Sequence, residues 1–275
     1  MIKLAAMVGT PDLRTETLAV YSGNLELAFS HLAALGYTGV ELMIRDPQQL
    51  DGNQIRRCLD ENGLHLVGLC TGHVFGEDGL GLVGPDPARS LAAKERLKSF
   101  VDFAAEYFGP DTLVNIGRSR GTGYPGDPVR SLAEMCASFR DLAEYAAPGG
   151  IKLVLEPINS LQTAHIHTTQ DGIEMVTRVD HPNFGLMLDL CHMNIEDDDI
   201  YNSFRLARGK LRFVHLTDNN RHWPGSAHLE FDKIFAVLRE IEYSGFASLE
   251  IMPWPDSDTA ARASIQYLGQ WVDAK

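Results

Sequence analysis

Four residues in the second half of the chain have types and positions suited to chemistry. Glu156 follows LVL, Asp189 ends FGLMLD, His215 lies near the end of LRFVHL, and Glu250 follows FASL. Each carboxylate or imidazole stands where a short apolar run stops, which is a poor way to build a core and a good way to build a site. Three carboxylates and an imidazole converging in a low-dielectric cleft repel one another unless a cation sits among them. Carboxylate oxygen with imidazole nitrogen suits a divalent ion such as Mn²⁺, Mg²⁺ or Co²⁺ rather than a thiolate-preferring metal. Singly, each acid would as readily pair with an arginine or cap a helix. Four on successive runs point to metal ligation.

Other candidates surround these four. His192 and Arg221 lie just past two of the runs, where they would contact substrate. Asn159 would donate to a substrate hydroxyl or hold its own loop by an Asx-turn. Arg45, Arg118 and Arg120 place guanidiniums suited to a carboxylate or phosphate, unless nearby acids or solvent claim them. His73 would reach substrate or be a plain loop histidine. Glu41 would orient groups at the mouth or pair with a neighbouring arginine. Trp223 and Trp254 would wall off water or simply pack.

These residues need a scaffold that delivers strand ends to one place. Short β-type runs are expected at 3–8, 38–44, 64–69, 112–116, 152–155, 184–188, 211–216 and 246–251. Helical periodicity falls between them, at 24–35, 53–62, 87–108, 131–147, 169–179, 200–207, 231–241 and 259–272. Gly36 and Gly63 close the first two helices, and Thr168 or Thr169 caps the fifth. The acids at 196–199 suit a loop and a helix start, where the dipole favours them. Eight strand–helix units predict an α/β fold, a (β/α)₈ TIM barrel, with residues 1–275 as one domain and the metal site at the C-terminal ends of strands five to eight. No G-x-G-x-x-G follows the first strand, against a doubly wound dinucleotide-binding sheet.

Composition narrows the function classes. The 275 residues are 44% hydrophobic and 22% charged, enough for a substantial core. A net charge of -13 disfavours nucleic acid as a partner. Cys58, Cys70, Cys136 and Cys191 form no C-x-x-C pair and read as buried thiols. No export signal is apparent, and no apolar run approaches the roughly 20 residues of a spanning helix. The expectation is a cytoplasmic protein without a membrane partner.

LEPIN (155–159), LDLCHMNIE (188–196), HLTDNNRHWPGSAHLEFDKIF (215–235) and SLEIMP (248–253) resemble the xylose isomerase-like TIM-barrel family of sugar isomerases and epimerases. GVELMIRDP (39–47) and GLCTGHVFGEDGLGLVGPD (68–86) extend the likeness across nearly the whole chain. It is nearest to ketose 3-epimerases and keto-sugar-acid epimerases of the 5-keto-gluconate type. The resemblance implies that Glu156, Asp189, His215 and Glu250 bind the metal, that Glu156 and Glu250 double as acid and base, and that His192 and Arg221 contact substrate oxygens. It implies inversion of C3 of a ketose or keto-sugar acid through an enediolate that the metal stabilises, and a homodimer or homotetramer acting on a small-molecule sugar. An aldose–ketose isomerase is the alternative on the same residues. A dehydratase, an endonuclease-like phosphodiesterase and a metal-free binding module rank lower. One stretch departs from the related pattern E-P-x-N-R-x-E: here EPINSLQ puts Ser160 for the arginine and Gln162 for the second glutamate. Gln162 keeps the capacity to hydrogen-bond a hydroxyl but cannot act as a charged base.

Overall fold

The computed structural model describes residues 2–15 and 18–273. The barrel strands are β1 (Ile2–Gly9), β2 (Gly39–Met43), β3 (His65–Cys70), β4 (Leu113–Ile116), β5 (Lys152–Leu155), β6 (Phe184–Asp189), β7 (Leu211–Leu216) and β8 (Phe246–Leu249), and Tyr21–Ser22 forms a short strand beside β1. Each barrel strand pairs in parallel with the next, and β8 pairs in parallel with β1, so the sheet closes into an eight-stranded barrel. The helices are α1 (Leu25–Leu35), α2 (Gly52–Asn62), α3 (Gly72–Gly76), α4 (Pro87–Tyr107), α5 (Pro128–Ala146), α6 (Thr169–Val179), α7 (Leu190–Glu196), α8 (Ile200–Leu206), α9 (Phe231–Glu240) and α10 (Ser257–Leu268).

Local chemistry sets the helix ends. Asn24, Asp51, Asp86, Asp127, Thr168, Asp189, Asp199 and Asp256 each accept a backbone N–H at a helix start. Thr168, not Thr169, caps α6, in a capping box with Asp171. Gly36 ends α1 at φ 98°, where a Cβ would be strained.

Two parts of the chain differ from the pattern reading. The last helix stops at Leu268, and Val272–Asp273 pair with β1 instead of extending it. The loops after β3 and β6 carry the short helices α3, five residues long, and α7, whose first four residues are all buried and so show no amphipathic period. Glu196 therefore closes α7 and Asp199 caps α8.

Side chains alternate in and out along each strand. Ala5, Val67, Val154, Met187 and Phe213, with Leu113 and Phe246, fill a layer inside the barrel. Leu153, Leu155, Leu186, Leu188, Val214 and Leu216 face the helices in the main core. The strand period of two then decides what lies above that inner layer.

Candidate active site

Two residues beyond each inner-layer side chain, the barrel turns polar. Val154 is followed by Glu156, Met187 by Asp189, Phe213 by His215, and Leu113 by Asn115. All of these are buried, as is Glu250 just past β8. The register pairs Asp189 directly with His215. Burying three acids side by side is costly, so the interest lies in what compensates them.

Ligand-type atoms of Glu156, Asp189, His215 and Glu250 all lie within 4.8 Å of one another. His215 Nδ1 is 3.5 Å from Asp189 Oδ2, 3.5 Å from Glu250 Oε2 and 3.9 Å from Glu156 Oε1. Its other nitrogen, Nε2, lies 2.9 Å from Glu41 Oε2. Asp189 is divided between two tasks. Oδ1 accepts the Cys191 and His192 N–H groups at the start of α7, while Oδ2 faces the cluster.

Arg221 reaches in from the loop after β7. Its Nη1 donates to Asp189 Oδ2 at 2.6 Å and to Glu250 Oε2 at 2.7 Å, and Nη2 lies 3.2 Å from His192 Nε2. Arg221 has φ 63°, a left-handed conformation that costs a non-glycine residue about 1–3 kcal/mol and is typical of residues held for function. His192 Nδ1 meets the Asn159 amide at 2.8 Å, so Asn159 positions that ring. Asn115 donates to Glu156 Oε2 at 3.0 Å, and a Cβ on Gly117 would press on the same oxygen at 2.9 Å.

The charges do not balance locally. Burial and then Glu250 push Glu156 up to about 7. Burial also penalises ionised Asp189, but the Arg221 guanidinium and then His215 outweigh it and hold that carboxyl well below its usual range. Burial disfavours the His215 imidazolium, yet Glu41 and Glu250 carry its pKa well above the ordinary value. Burial brings His192 down to about 4, leaving it neutral. Four carboxylates, counting Glu41, thus face one guanidinium and one imidazolium.

A cavity of about 250 Å³ opens on this cluster. Glu156, Glu250, His192 and Arg221 line it, whereas Asp189 and His215 lie beneath. Gln162 and Arg118 form an exposed part of its wall, and His73 lines it with Nδ1 held 3.0 Å from Glu77 Oε1. A larger concavity of about 500 Å³ lies at the other end of the barrel, around the strand starts Lys3, His65 and Phe246, away from the acid cluster.

Two of the three arginines expected at the mouth are committed elsewhere. Arg45 donates to the Asp12 carbonyl, Gln49 and Asp78. Arg120 is wholly buried, donating to the carbonyls of Glu156 and Ile166. Trp254 is exposed and stacks on His222 instead of walling the cavity.

Pattern reading missed Asn115, whose inward position follows from period two on β4. It also missed Asp218, which accepts backbone N–H groups from Gly225, Ala227, His228 and Leu229 and shapes the loop bearing Arg221. Asp218 lies inside the stretch 215–235, but nothing in the spacing there assigns it this role.

The residues fit a divalent metal. His215 Nδ1 is buried without a hydrogen-bond partner and points at three carboxylates, and the cluster carries excess negative charge. Three oxygens and one imidazole nitrogen suit the harder first-row ions and magnesium.

Comparisons with known proteins agree with the architecture. The model of the family described as "Xylose isomerase-like TIM barrel" matches residues 29–271. The L-ribulose 3-epimerase of Methylomonas sp. (strain DH-1) is 29% identical, covering 88% of this chain and 90% of that protein. The 3-dehydro-D-guloside 4-epimerase of Escherichia coli (strain K12) is 28% identical over 86% of this chain and 90% of that protein. The structure of D-allulose 3-epimerase from Methylomonas sp. superposes with a TM-score of 0.84 at 25% identity, covering 98% of both chains. With a closed parallel barrel and a family match over residues 29–271, the chain belongs to the xylose isomerase-like TIM-barrel family.

Proposed function

We propose that this protein is a divalent-metal-dependent sugar epimerase that inverts C3 of a ketose or keto-sugar acid. One observation carries the reading. Of the four clustered residues, only Glu156 and Glu250 line the cavity, while Asp189 and His215 are sealed below. Two residues serve only as anchors, and two carboxylates remain able to touch a substrate.

Glu156, Asp189, His215 and Glu250 would hold the cation, which when bound supplies Lewis-acid polarisation of a carbonyl and its neighbouring hydroxyl. The protein's own groups do the rest. One glutamate takes the proton from the carbon beside the carbonyl, and the other returns a proton to the opposite face of the planar enediolate. That exchange inverts the centre and retains the ketone. Burial favours proton uptake by Glu156, as its upward shift indicates. Arg221 and His192 present Nη2 and Nε2 on the cavity wall, within reach of the oxygen on which charge develops. The named relatives invert a carbon of a sugar, and this is the same chemical step.

The test is a panel of ketoses, ketose phosphates and keto-hexonates incubated with Mn²⁺-loaded protein in D₂O, with the exchanged carbon located by NMR. Deuterium at C3 with the ketone retained is the expected outcome. Deuterium at C1 or C2 with aldose formation would establish the isomerase instead. Full turnover in Glu156→Gln and Glu250→Gln variants would remove the two-glutamate step.

A further inference from the structure

Beside the cavity over the acid cluster lies a second one of about 360 Å³. The two share Arg118 and Gln162 as a common wall, so a molecule seated against Glu156 and Glu250 would extend into the second past those side chains. No carboxylate of the described residues lines the second cavity, in a chain whose net charge is -13.

Most groups around it are already engaged. Thr163 Oγ1 donates to the Ile158 carbonyl and Ser160 Oγ to Glu196. Thr122 Oγ1 donates to the Gly123 carbonyl. Arg118 differs. Its guanidinium lies over the Phe75 ring at 5.7 Å, exposed, with no carboxylate partner among the described residues. Around the same mouth, Arg45, Arg96 and Arg221 are all paired with acids. The Gln162 side chain likewise makes no hydrogen bond within the described residues, and it stands where the related pattern has a glutamate. An acid there would cancel the field of Arg118; an amide leaves it intact.

We propose that this second cavity is a subsite for an anionic substituent, a carboxylate or a phosphate, on the part of the sugar remote from the reacting carbons. Arg118 binds the anion through its planar fork, which Phe75 orients, and Gln162 donates beside it. The inference rests on reading the first cavity as the seat of the reacting carbons.

The experiment separates this subsite from the chemistry next door. Mn²⁺-loaded protein is titrated calorimetrically at low salt with gluconate, glucitol 6-phosphate and glucitol, none of which carries the ketone the reaction needs. At least one anion should bind about tenfold more tightly than glucitol, the scale of one charge-assisted hydrogen bond. Whichever anion is favoured identifies the substituent. That advantage should collapse in Arg118→Ala and shrink in Gln162→Glu, which leaves Arg118 in place. Equal binding of all three probes, or an advantage that survives both substitutions, overturns the subsite. If the Arg118-dependent advantage appears but no ketose or keto-hexonate exchanges its C3 proton, the epimerase reading falls and the subsite stands.

Discussion

His215 Nε2 lies 2.9 Å from Glu41 Oε2, with both side chains sealed inside the barrel. The contact fixes the ring with Nε2–H on Glu41 and Nδ1 turned to Glu156, Asp189 and Glu250. A carboxylate behind a ligating imidazole also raises its basicity. Glu41→Gln keeps an acceptor for Nε2–H but loses the charge. Its Mn²⁺ dissociation constant should rise about 10–100-fold, measured by competition with a chromophoric chelator, while the circular dichroism spectrum stays native. An unchanged constant would remove Glu41 from the site's electrostatics.

Excess negative charge in the cluster means that a bound cation should stabilise the fold. At a hundredfold excess over its dissociation constant, Mn²⁺ should add about 2.7 kcal/mol, or roughly 5–10 °C in Tm for a domain of this size. Asp189→Asn is the informative control, since its side-chain oxygen can still accept the α7 amides while the charge is gone. That variant should fold, yet show a much smaller shift in calorimetry. A wild-type Tm that responds to none of Mn²⁺, Mg²⁺ and Co²⁺ would count against the metal centre.

The sequence made the barrel and the four clustered residues legible for one physical reason. Short apolar runs ending in a charged residue are costly unless that residue serves at a barrel rim, and the pattern recurs on four successive strands. Arg45, Arg118 and Arg120 look alike along the chain, but only tertiary contacts distinguish them: Asp78 and Gln49 engage the first, and the Glu156 and Ile166 carbonyls bury the third. Asp218 was illegible because its partners are backbone amides, which leave no trace in side-chain identity. The helix α3 is a five-residue turn, and α7 starts with four buried residues in a row, so neither leaves an amphipathic pattern.

Asp218 offers a direct test of that loop. It is wholly buried and satisfies the amides of Gly225, Ala227, His228 and Leu229 at 3.0–3.1 Å. Asp218→Ala would orphan the Gly225, Ala227 and Leu229 amides, while His228 N–H keeps Asn219 Oδ1 at 3.3 Å. The cost in denaturant unfolding should be at least about 3 kcal/mol, given about 1–3 kcal/mol for each unsatisfied buried group. Asp218→Asn keeps one acceptor oxygen and should recover part of the loss. Limited proteolysis should cut the alanine variant within 217–229, the loop that carries Arg221. Resistance equal to wild type would show that the loop is held by other contacts.

Glu77 ties the loop after β1 to the cavity mouth. Its carboxylate accepts from the Arg14 and Thr15 amides at 2.9 and 3.0 Å and from the Thr15 hydroxyl at 2.8 Å, and Thr15 lines the cavity. Burial works against its charge, but the Thr15 hydroxyl, the two amides and His73 outweigh it and lower its pKa from the ordinary 4.5. A carboxyl whose folded pKa lies below its unfolded value contributes stability above the unfolded value and loses it as pH falls through the folded one. The anchoring should therefore hold at neutral pH and weaken on acidification below 4.5. Amide exchange protection at Arg14 and Thr15 should follow that course. Glu77→Gln should lack the pH-dependent part, because its amide oxygen accepts without charge. Protection that stays constant in wild type down to about pH 3 would mean that the charge of Glu77 does not hold the loop.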